Sequence, residues 1–168
     1  MKFDDAKTHF INNWGAFGSQ WGINKTMAQI HALLLITPNP ITQDAIMEAL
    51  TISRGNVNMN VRDLMNWGLV QKIIITGERK EFYSAEKDIW KVATIITAER
   101  KRRELDPMLK LLAQLETTDG DAKNADVKQF KQTIKGIRKL GNHANTVLTN
   151  IIKAEENWFL ITIKKIFN

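Results

Sequence analysis

The 168-residue chain contains no cysteine, which excludes a disulfide framework and a thiolate metal site. No apolar run approaches the ~18 residues of a transmembrane helix, so we expect no membrane partner. The start, MKFDDAKTHF, carries two aspartates and lacks the apolar segment of a secretory signal. A reducing, cytoplasmic location is therefore the expectation.

Motifs for catalysis and for metal binding are also missing. His9, His31 and His143 are isolated from one another, so a metal site is not expected. The sequence has no GxxxxGK phosphate loop and no recognisable Ser-His-Asp or Cys-His arrangement, and its acidic residues are scattered. We therefore expect neither an enzyme nor a cofactor. An enzyme site assembled from distant residues is the weakest alternative, and a pocket of paired acids and bases would revive it.

The composition is that of a globular protein with more basic than acidic residues. Its residues are 43% hydrophobic and 25% charged, a composition that suits one domain, or one compact domain with an arm. Twenty-four Lys and Arg residues face 18 Asp and Glu residues, a formal net charge of +6. This balance favours a polyanionic partner, although many proteins with a similar surplus bind no nucleic acid.

Apolar periodicity predicts a helix at residues 3–21 and a buried helix at 26–36. The seam of the first helix is aromatic: Phe3, Phe10, Trp14, Phe17 and Trp21. Three glycines in and after it are expected to allow close approach of backbones: Gly15, Gly18 and Gly22. A third helix follows, with Thr42 as its N-cap and an inward face at Ile46, Ala49 and Leu50.

Residues 52–70, ISRGNVNMNVRDLMNWGLV, predict a helix with two different faces. Ser53 is its expected N-cap, and the inward stripe is Val57, Val61 and Leu64. The opposite face is Gly55, Asn56, Met59, Arg62 and Asn66. Asn and Arg can make paired hydrogen bonds to base edges, and glycine lets the backbone approach a phosphate. An ordinary solvated surface is the alternative for this stretch alone.

The segments VQKIIIT and EFYSAE predict two strands around the charged turn GERK. A winged helix has this order of elements: two short helices followed at once by a hairpin, here with a basic tip. In such folds the second helix enters the major groove of DNA and the hairpin, or wing, reaches an adjacent minor groove. Arg79 and Lys80 are then expected to contact groove and phosphate rather than form a merely solvated turn. The fold class we expect is mainly α with a small β-hairpin wing, a winged helix-turn-helix flanked by N- and C-terminal dimerisation helices.

The C-terminal half predicts a long helix over residues 87–104 that ends in ERKRRE, where Glu99 is expected to pair with Arg103 on a solvated face. Contact of this segment with phosphate is the alternative. Asp106 and Pro107 are expected as N-cap and first residue of another helix. A polar linker over residues 117–126 precedes two helices, over 127–140 and 144–167. The apolar terminal helix and the aromatic first helix predict a homodimer. We therefore expect three parts of the chain: an N-terminal dimerisation helix at residues 1–24, the DNA-binding winged helix at 25–86 and a helical dimerisation region at 87–168.

Several blocks in order, WGAFGSQWGINKTMAQIHALLL, ISRGNVNMNVRDLMNWGLV, GERKEFYSAEKDIW and ERKRRE, resemble the GbsR-like branch of the MarR-type winged-helix transcription regulators. The resemblance covers roughly residues 14–107. It implies a dimeric bacterial or archaeal DNA-binding protein, usually a repressor, with some relatives responding to choline or related osmolytes. The implied base-facing positions are Gly55, Asn56, Asn58 and Met59, and the implied wing arginine is Arg79. Many MarR-type proteins have arginine where this chain has Met59. The contact left to Met59 is apolar, with a thymine methyl, so the operator sequence cannot be carried over from the family.

Our leading hypothesis is a sequence-specific DNA-binding regulator of transcription that contacts double-stranded DNA as a homodimer. The candidate DNA-binding residues are Ser53, Arg54, Gly55, Asn56, Asn58, Met59, Arg62, Arg79 and Lys80. A cage for a small cationic effector is a further hypothesis, for which core or dimer packing is the alternative; its members are Trp14, Trp21, Trp90 and Trp158. A different class is a winged-helix module for protein–protein interaction, which a weak dependence of binding on salt would favour.

Overall fold

The computed structural model describes residues 1–121 and 123–166, with side chains described up to residue 154. The chain forms two compact units, Met1–Val92 and Ala93–Asn168. The first unit contains helices α1 (Phe3–Gln20), α2 (Lys25–Ile36), α3 (Gln43–Leu50) and α4 (Arg54–Trp67) and strands β1 (Ile41–Thr42), β2 (Val70–Ile73) and β3 (Phe82–Ala85). Helix α5 (Ile89–Arg100) begins at the end of this unit. None of the helices in the described ranges is long and apolar enough to span a membrane.

The sheet of the first unit has three antiparallel strands in the order β1-β3-β2. Strand β3 pairs with β2 from Val70 opposite Ala85 to Ile73 opposite Phe82, and these two strands form the predicted hairpin. Strand β1 was not predicted, because two residues give no periodic signal. It pairs Ile41 with Tyr83 and so attaches the start of α3 to the hairpin. Helix, turn, helix and wing follow in the expected order, which confirms the winged-helix fold class.

The core of the first unit is formed by α2 together with one stripe of α4. Helix α2 is buried over most of its circumference, and the stripe of α4 is Val57, Val61 and Leu64 as predicted. Both caps predicted in this unit are confirmed: Thr42 Oγ1 accepts from the Ala45 amide at 3.2 Å, and Ser53 Oγ accepts from the Asn56 amide at 3.3 Å. The inward face of α3 is narrower than expected, because Ile46 is its buried residue while Ala49 is exposed. A helix of about two turns offers its neighbours little more than one central position.

The buried face of α1 differs from the predicted aromatic seam. It consists of Ile11, Gly15 and Gly18, whereas Phe3, Phe17 and Trp21 are exposed. The reason is close packing: a Cβ on Gly18 would lie 2.6 Å from the Ala28 Cβ on α2, and one on Gly15 would lie 2.6 Å from Gln29 Cγ. Large rings do not fit where the two backbones come this close, so they occupy the other faces. Gly22 is not a close-approach residue; it has a φ of +74° after the helix ends.

The second unit contains a π-helical segment at Lys101–Leu105 and helices α6 (Asp106–Leu115) and α7 (Ala125–Ile166). The expectation that Asp106 caps a new helix is wrong, because its backbone is helical and its carboxylate accepts from Lys101 Nζ at 2.7 Å. The π-helical segment is followed directly by α6, so no non-helical residue immediately precedes Pro107. The two predicted terminal helices form one. Gly141 lies within this helix and packs against Leu109 of α6, so closely that a Cβ there would lie 2.7 Å from Leu109 Cδ2.

Candidate nucleic-acid interface

The outer face of α4 carries most of the residues predicted to bind DNA. Arg54, Gly55, Asn58, Met59 and Arg62 are exposed, and a Cβ added to Gly55 would meet nothing within 4 Å. Their exposure follows from helical periodicity, because the residues of the buried stripe alternate with them. The structure therefore places these side chains on the accessible side of α4, where a groove could receive them.

The first turn of α4 is held by polar contacts with its own cap and with α3. The Ser53 hydroxyl accepts from the Asn56 amide, and Gln43 Nε2 donates to the Arg54 carbonyl oxygen at 3.1 Å. Ser53 is thus an N-cap first, and its hydroxyl proton remains a donor that could meet a phosphate oxygen. An N-terminal turn with its amide groups aimed outward is also favourable for an anion.

Asp44, at the start of α3, joins the beginning of α4 to the wing. Its carboxylate accepts from Arg54 at 2.8 Å through Oδ1 and from Lys80 at 3.3 Å through Oδ2. Two candidate DNA-contacting cations are therefore drawn to one point, although they lie 26 positions apart in the sequence. Sequence reasoning missed Asp44, because a carboxylate 10 and 36 residues from its partners gives no local signal.

A second residue that sequence reasoning missed is Asn60, which is 1% exposed on the inward side of α4. Its Nδ2 donates to the backbone oxygen of Asn56 at 2.8 Å and to Asn56 Oδ1 at 2.7 Å. Asn56 itself is half-buried, unlike the exposed residues of the outer face. The signal that could have found the pair is two amides at i and i+4 within NVNMN, a spacing that places side chains on one face of a helix.

The wing is braced along its strands and ends in an exposed basic turn. Glu81 accepts hydrogen bonds from Lys72 and, at 2.6 Å, from the Tyr83 hydroxyl. The bond from Lys72, followed by that from Tyr83, holds the pKa of Glu81 below its usual value. Burial, reinforced by Glu81, raises the pKa of Tyr83 to about 12. This network lies beside the end of the strand pairing, where Ile73 is opposite Phe82. The chain turns at Gly77, where φ is +89°, and beyond it Arg79 is exposed.

Lys87 fixes the strand that leaves the wing to the end of α2. Its Nζ donates to the carbonyl oxygens of Leu34, of Leu35 at 3.0 Å and of Thr37 at 2.6 Å. These are carbonyls that a helix end leaves without intrahelical partners, so the ammonium acts as a C-terminal cap. Burial lowers the pKa of Lys87. The contact is structural, and it sets the position of the whole hairpin on α2.

The tryptophans of the effector hypothesis are not gathered into a cage by the first unit. Trp14 packs between Phe10 and His31, with ring centroids 5.5 and 6.2 Å apart, while Trp21 is 61% and Trp90 80% exposed. The side chain of Trp158 lies outside the described residues. Packing therefore accounts for Trp14, and the effector site stays a prediction. Among the described residues, no group of three potential ligands is arranged to hold a metal ion.

The ERKRRE segment is occupied by its own ion pairs. Glu99 pairs with Arg103 as predicted and also with Arg102, and Arg100 pairs with Glu104. The hydrogen bond from Arg102 is the largest cause of the lowered pKa of Glu99. Arginines that are held this way would have to give up a carboxylate before they could bind a phosphate. These ion pairs fit the predicted solvated helical face, and contact of the segment with phosphate stays a prediction.

The fold and the first-unit geometry define a winged helix, and residues 21–78 match the model of the MarR family. The match covers about a third of the chain, from just before α2 to the turn of the wing, and over this segment the sequence is similar to the MarR family. The chain is 24% identical over 94 residues to YvaV of Bacillus subtilis (strain 168), provisionally named an HTH-type transcriptional regulator; the match covers 56% of this chain and 52% of YvaV. It is 22% identical over 87 residues to the HTH-type transcriptional repressor OpcR of the same organism, covering 52% and 47%. The chain thus spans about half the length of these curated relatives.

A solved structure extends the likeness beyond the winged helix. The crystal structure of a transcriptional regulator superposes with a TM-score of 0.62 at 17% sequence identity, over 90% of this chain and 99% of that one. At this identity the likeness concerns the fold alone. It indicates that the flanking helices, and not only the wing and α4, belong to a known architecture.

Proposed function

We propose that the protein is a sequence-specific DNA-binding regulator of transcription, acting as a repressor in the cytoplasm. The observation that carries the proposal is the double contact of Asp44, which holds Arg54 at the start of α4 beside Lys80 of the wing. A winged helix that reads DNA needs its recognition helix and wing to reach adjacent grooves together. The names of the relatives, a transcriptional regulator and a transcriptional repressor, support the same function.

The proposed division of labour on DNA follows the exposure and chemistry of each side chain. Asn56 and Met59 would contact base edges, Gly55 would permit close approach, and Arg62 would at most contact phosphate. Arg79 would enter the minor groove beside each half-site, since a guanidinium suits a narrow groove of negative potential. Because Met59 offers no hydrogen bonds, any selectivity at its position would come from apolar contact with a thymine methyl.

The active form in this proposal is a homodimer, because two half-sites require two recognition helices. Helix α7 has apolar side chains on a face that its own unit leaves exposed: Phe130, Ile137, Leu140, Val147 and Ile151. Their spacing of seven, three, seven and four keeps them on one stripe, which is the pattern of a helix–helix seam. The exposed aromatic residues of α1 offer a second apolar surface. We accordingly assign residues 1–24 and 87–168 to dimerisation and 25–86 to DNA, and place the protein in the GbsR-like branch on its sequence blocks.

The test is selection of binding sequences from a random double-stranded pool with the full chain, followed by titration at several salt concentrations. A regulator should enrich a two-fold symmetric sequence and lose affinity steeply as salt rises, because each phosphate contact releases a counterion. A protein-interaction module would enrich no sequence and would bind DNA weakly at low salt only. Arg62→Ala is the matched control for a phosphate contact, since it should weaken selected and random DNA equally.

A further inference from the structure

The pair formed by Asn56 and Asn60 fixes the direction in which the Asn56 amide points. A side-chain amide has an oxygen that accepts and a nitrogen that donates, and the two ends have nearly the same shape. The hydrogen bonds around an amide therefore determine which end is the oxygen and which is the NH₂ group. Here the partner is a buried residue, and buried amides keep their hydrogen bonds because losing them is costly.

The orientation of both side-chain amides follows from the backbone carbonyl oxygen of Asn56. The carbonyl oxygen of Asn56 can only accept, so the Asn60 atom that lies 2.8 Å from it must be the NH₂ group. The same NH₂ group lies 2.7 Å from the Asn56 side chain, so the side-chain atom it contacts must be oxygen. Asn60 thereby uses both of its N–H bonds on Asn56. The NH₂ group of Asn56 is left at the opposite side of its amide, away from Asn60.

We propose that Asn60 is a positioning residue that determines base specificity by making Asn56 a donor. This inference rests on the proposed function, since it needs α4 to enter a major groove. An asparagine that is free to use both ends pairs with adenine, donating to N7 and accepting from the N6 amino group. Asn60 turns the Asn56 oxygen towards the inward side of α4, so Asn56 presents its NH₂ group to the groove. It then favours guanine or thymine, whose edges offer acceptors, and rejects cytosine; the paired bonds to adenine would need the oxygen to face the base as well.

Burial makes Asn60 suitable for this role. It is 1% exposed on the inward side of α4, and its NH₂ group donates both of its hydrogen bonds to Asn56. Its NH₂ group is therefore preorganised before DNA arrives, so little conformational entropy is lost in orienting Asn56. Asn58, by contrast, is exposed on the same helix and offers both of its amide ends to a base.

The test is the base preference of full-length variants, measured by sequencing the DNA that each selects from a random pool. Asn56→Ala identifies the position that Asn56 contacts, where preference should fall by about 5- to 100-fold. At that position the wild type should select guanine or thymine, and Asn60→Leu should shift selection toward adenine while leaving other positions unchanged. In an Asn56→Ala background, Asn60→Leu should have no further effect on that position. Asn142→Ala, at an exposed asparagine of α7, is the matched control and should leave that position as in the wild type.

A second variant avoids the buried position in case Asn60→Leu does not fold. Asn56→Asp keeps an acceptor for Asn60 but has no NH₂ group to present, so selection should move to cytosine, whose N4 donates. The inference is overturned if the wild type selects adenine or cytosine at this position. It is also overturned if Asn60→Leu and Asn56→Asp both keep the wild-type base there, or if Asn60→Leu weakens every position equally. Absence of any enriched sequence with the wild type is the separate result that rejects the proposed function itself, and this inference with it.

Discussion

The Asp44 carboxylate accepts a hydrogen bond from the Arg54 guanidinium at 2.8 Å, and the same carboxylate accepts from Lys80 of the wing. All three side chains are more than 40% exposed, so the attraction between them is screened and stabilises the fold only weakly. The attraction should instead affect the binding of DNA. A phosphate that approaches Arg54 or Lys80 must replace Asp44 or bind beside a negative charge, so Asp44 should lower affinity while it keeps the two cations together.

Asp44→Asn should raise affinity for both selected and random DNA by about 2- to 10-fold, and make the salt dependence steeper by about one charge. The physical reason is that Arg54 and Lys80 become available to phosphates. Titration of each DNA at several salt concentrations measures both quantities. Glu48→Gln, on the exposed side of the same helix, removes an equal charge and is the control. Equal changes in the two variants would mean that net charge, and not the Asp44 contacts, controls affinity.

Gly55→Ala separates the stability of α4 from its proposed approach to DNA. A Cβ there meets nothing in the free protein, so alanine should raise the free energy of unfolding by up to about 1 kcal/mol through helix propensity. The added methyl should nevertheless weaken binding of the selected sequence if the backbone lies against the groove wall. Gly136→Ala in α7 is the control, because that glycine is also helical and open. Improved stability with unchanged DNA affinity in both variants would place Gly55 away from the DNA.

His31 should make the first unit less stable in acid. It is 3% exposed, and burial, followed by the charge of Lys87, lowers its pKa to about 4 from the usual 6.5. Between these values the unfolded chain binds the proton and the folded chain does not, so the free energy of unfolding rises with pH. The loss begins as pH falls below about 6.5 and is complete near pH 4, with a total of about 3 kcal/mol at most.

Denaturant unfolding of the wild type and of His31→Leu at intervals between pH 4 and pH 7 measures this dependence. The variant should have a flatter profile over that interval. His9→Leu replaces an exposed histidine and should retain the wild-type slope. A His31→Leu profile as steep as that of the wild type would assign the acid sensitivity to other groups.

Much of the winged helix could be predicted from the sequence because its signals are local. Caps at Thr42 and Ser53, the stripe of α4 and the two strands of the hairpin each depend on residues a few positions apart. Contacts between distant segments were missed. Strand β1 exists only because β3 lies beside it, and Asp44 finds partners on two other elements. The sequence also did not determine which face of α1 is buried. The hydrophobicity of the aromatic residues favours one face, whereas the small size of Gly15 and Gly18 allows close packing on another.

Dimerisation through α7 should depend on its exposed apolar stripe. Leu140 is 71% exposed in the single chain, so Leu140→Lys should leave the fold intact while placing a charge within the proposed seam. Sedimentation at micromolar concentration should then change from dimer to monomer. Asn142→Lys adds the same charge off the stripe and should remain a dimer. A wild-type monomer, or a dimer that persists after removal of residues 143–168, would contradict this assignment.

Arg79→Ala tests whether the wing enters a groove. Arg79 is exposed just beyond the turn at Gly77, which adopts a positive φ, and the Glu81 contacts with Lys72 and Tyr83 lie beside the end of the strand pairing. Without the guanidinium, binding of the selected sequence should weaken by about 1 to 3 kcal/mol, and the salt dependence should fall by about one charge. Preference for A·T-rich flanks should also decline, because a narrow A·T minor groove concentrates negative potential.

Lys80→Ala is the matched comparison for Arg79, and it should have the smaller effect for two reasons. An ammonium is more strongly hydrated than a guanidinium and sheds water less readily in a groove. Lys80 also shares Asp44 with Arg54, so part of its charge is already compensated before DNA binds. Titrations with flanks of different A·T content, at several salt concentrations, compare the two variants directly. Wild-type affinity and wild-type flank preference in Arg79→Ala at every salt concentration would remove the wing from the interface and leave DNA recognition to α4.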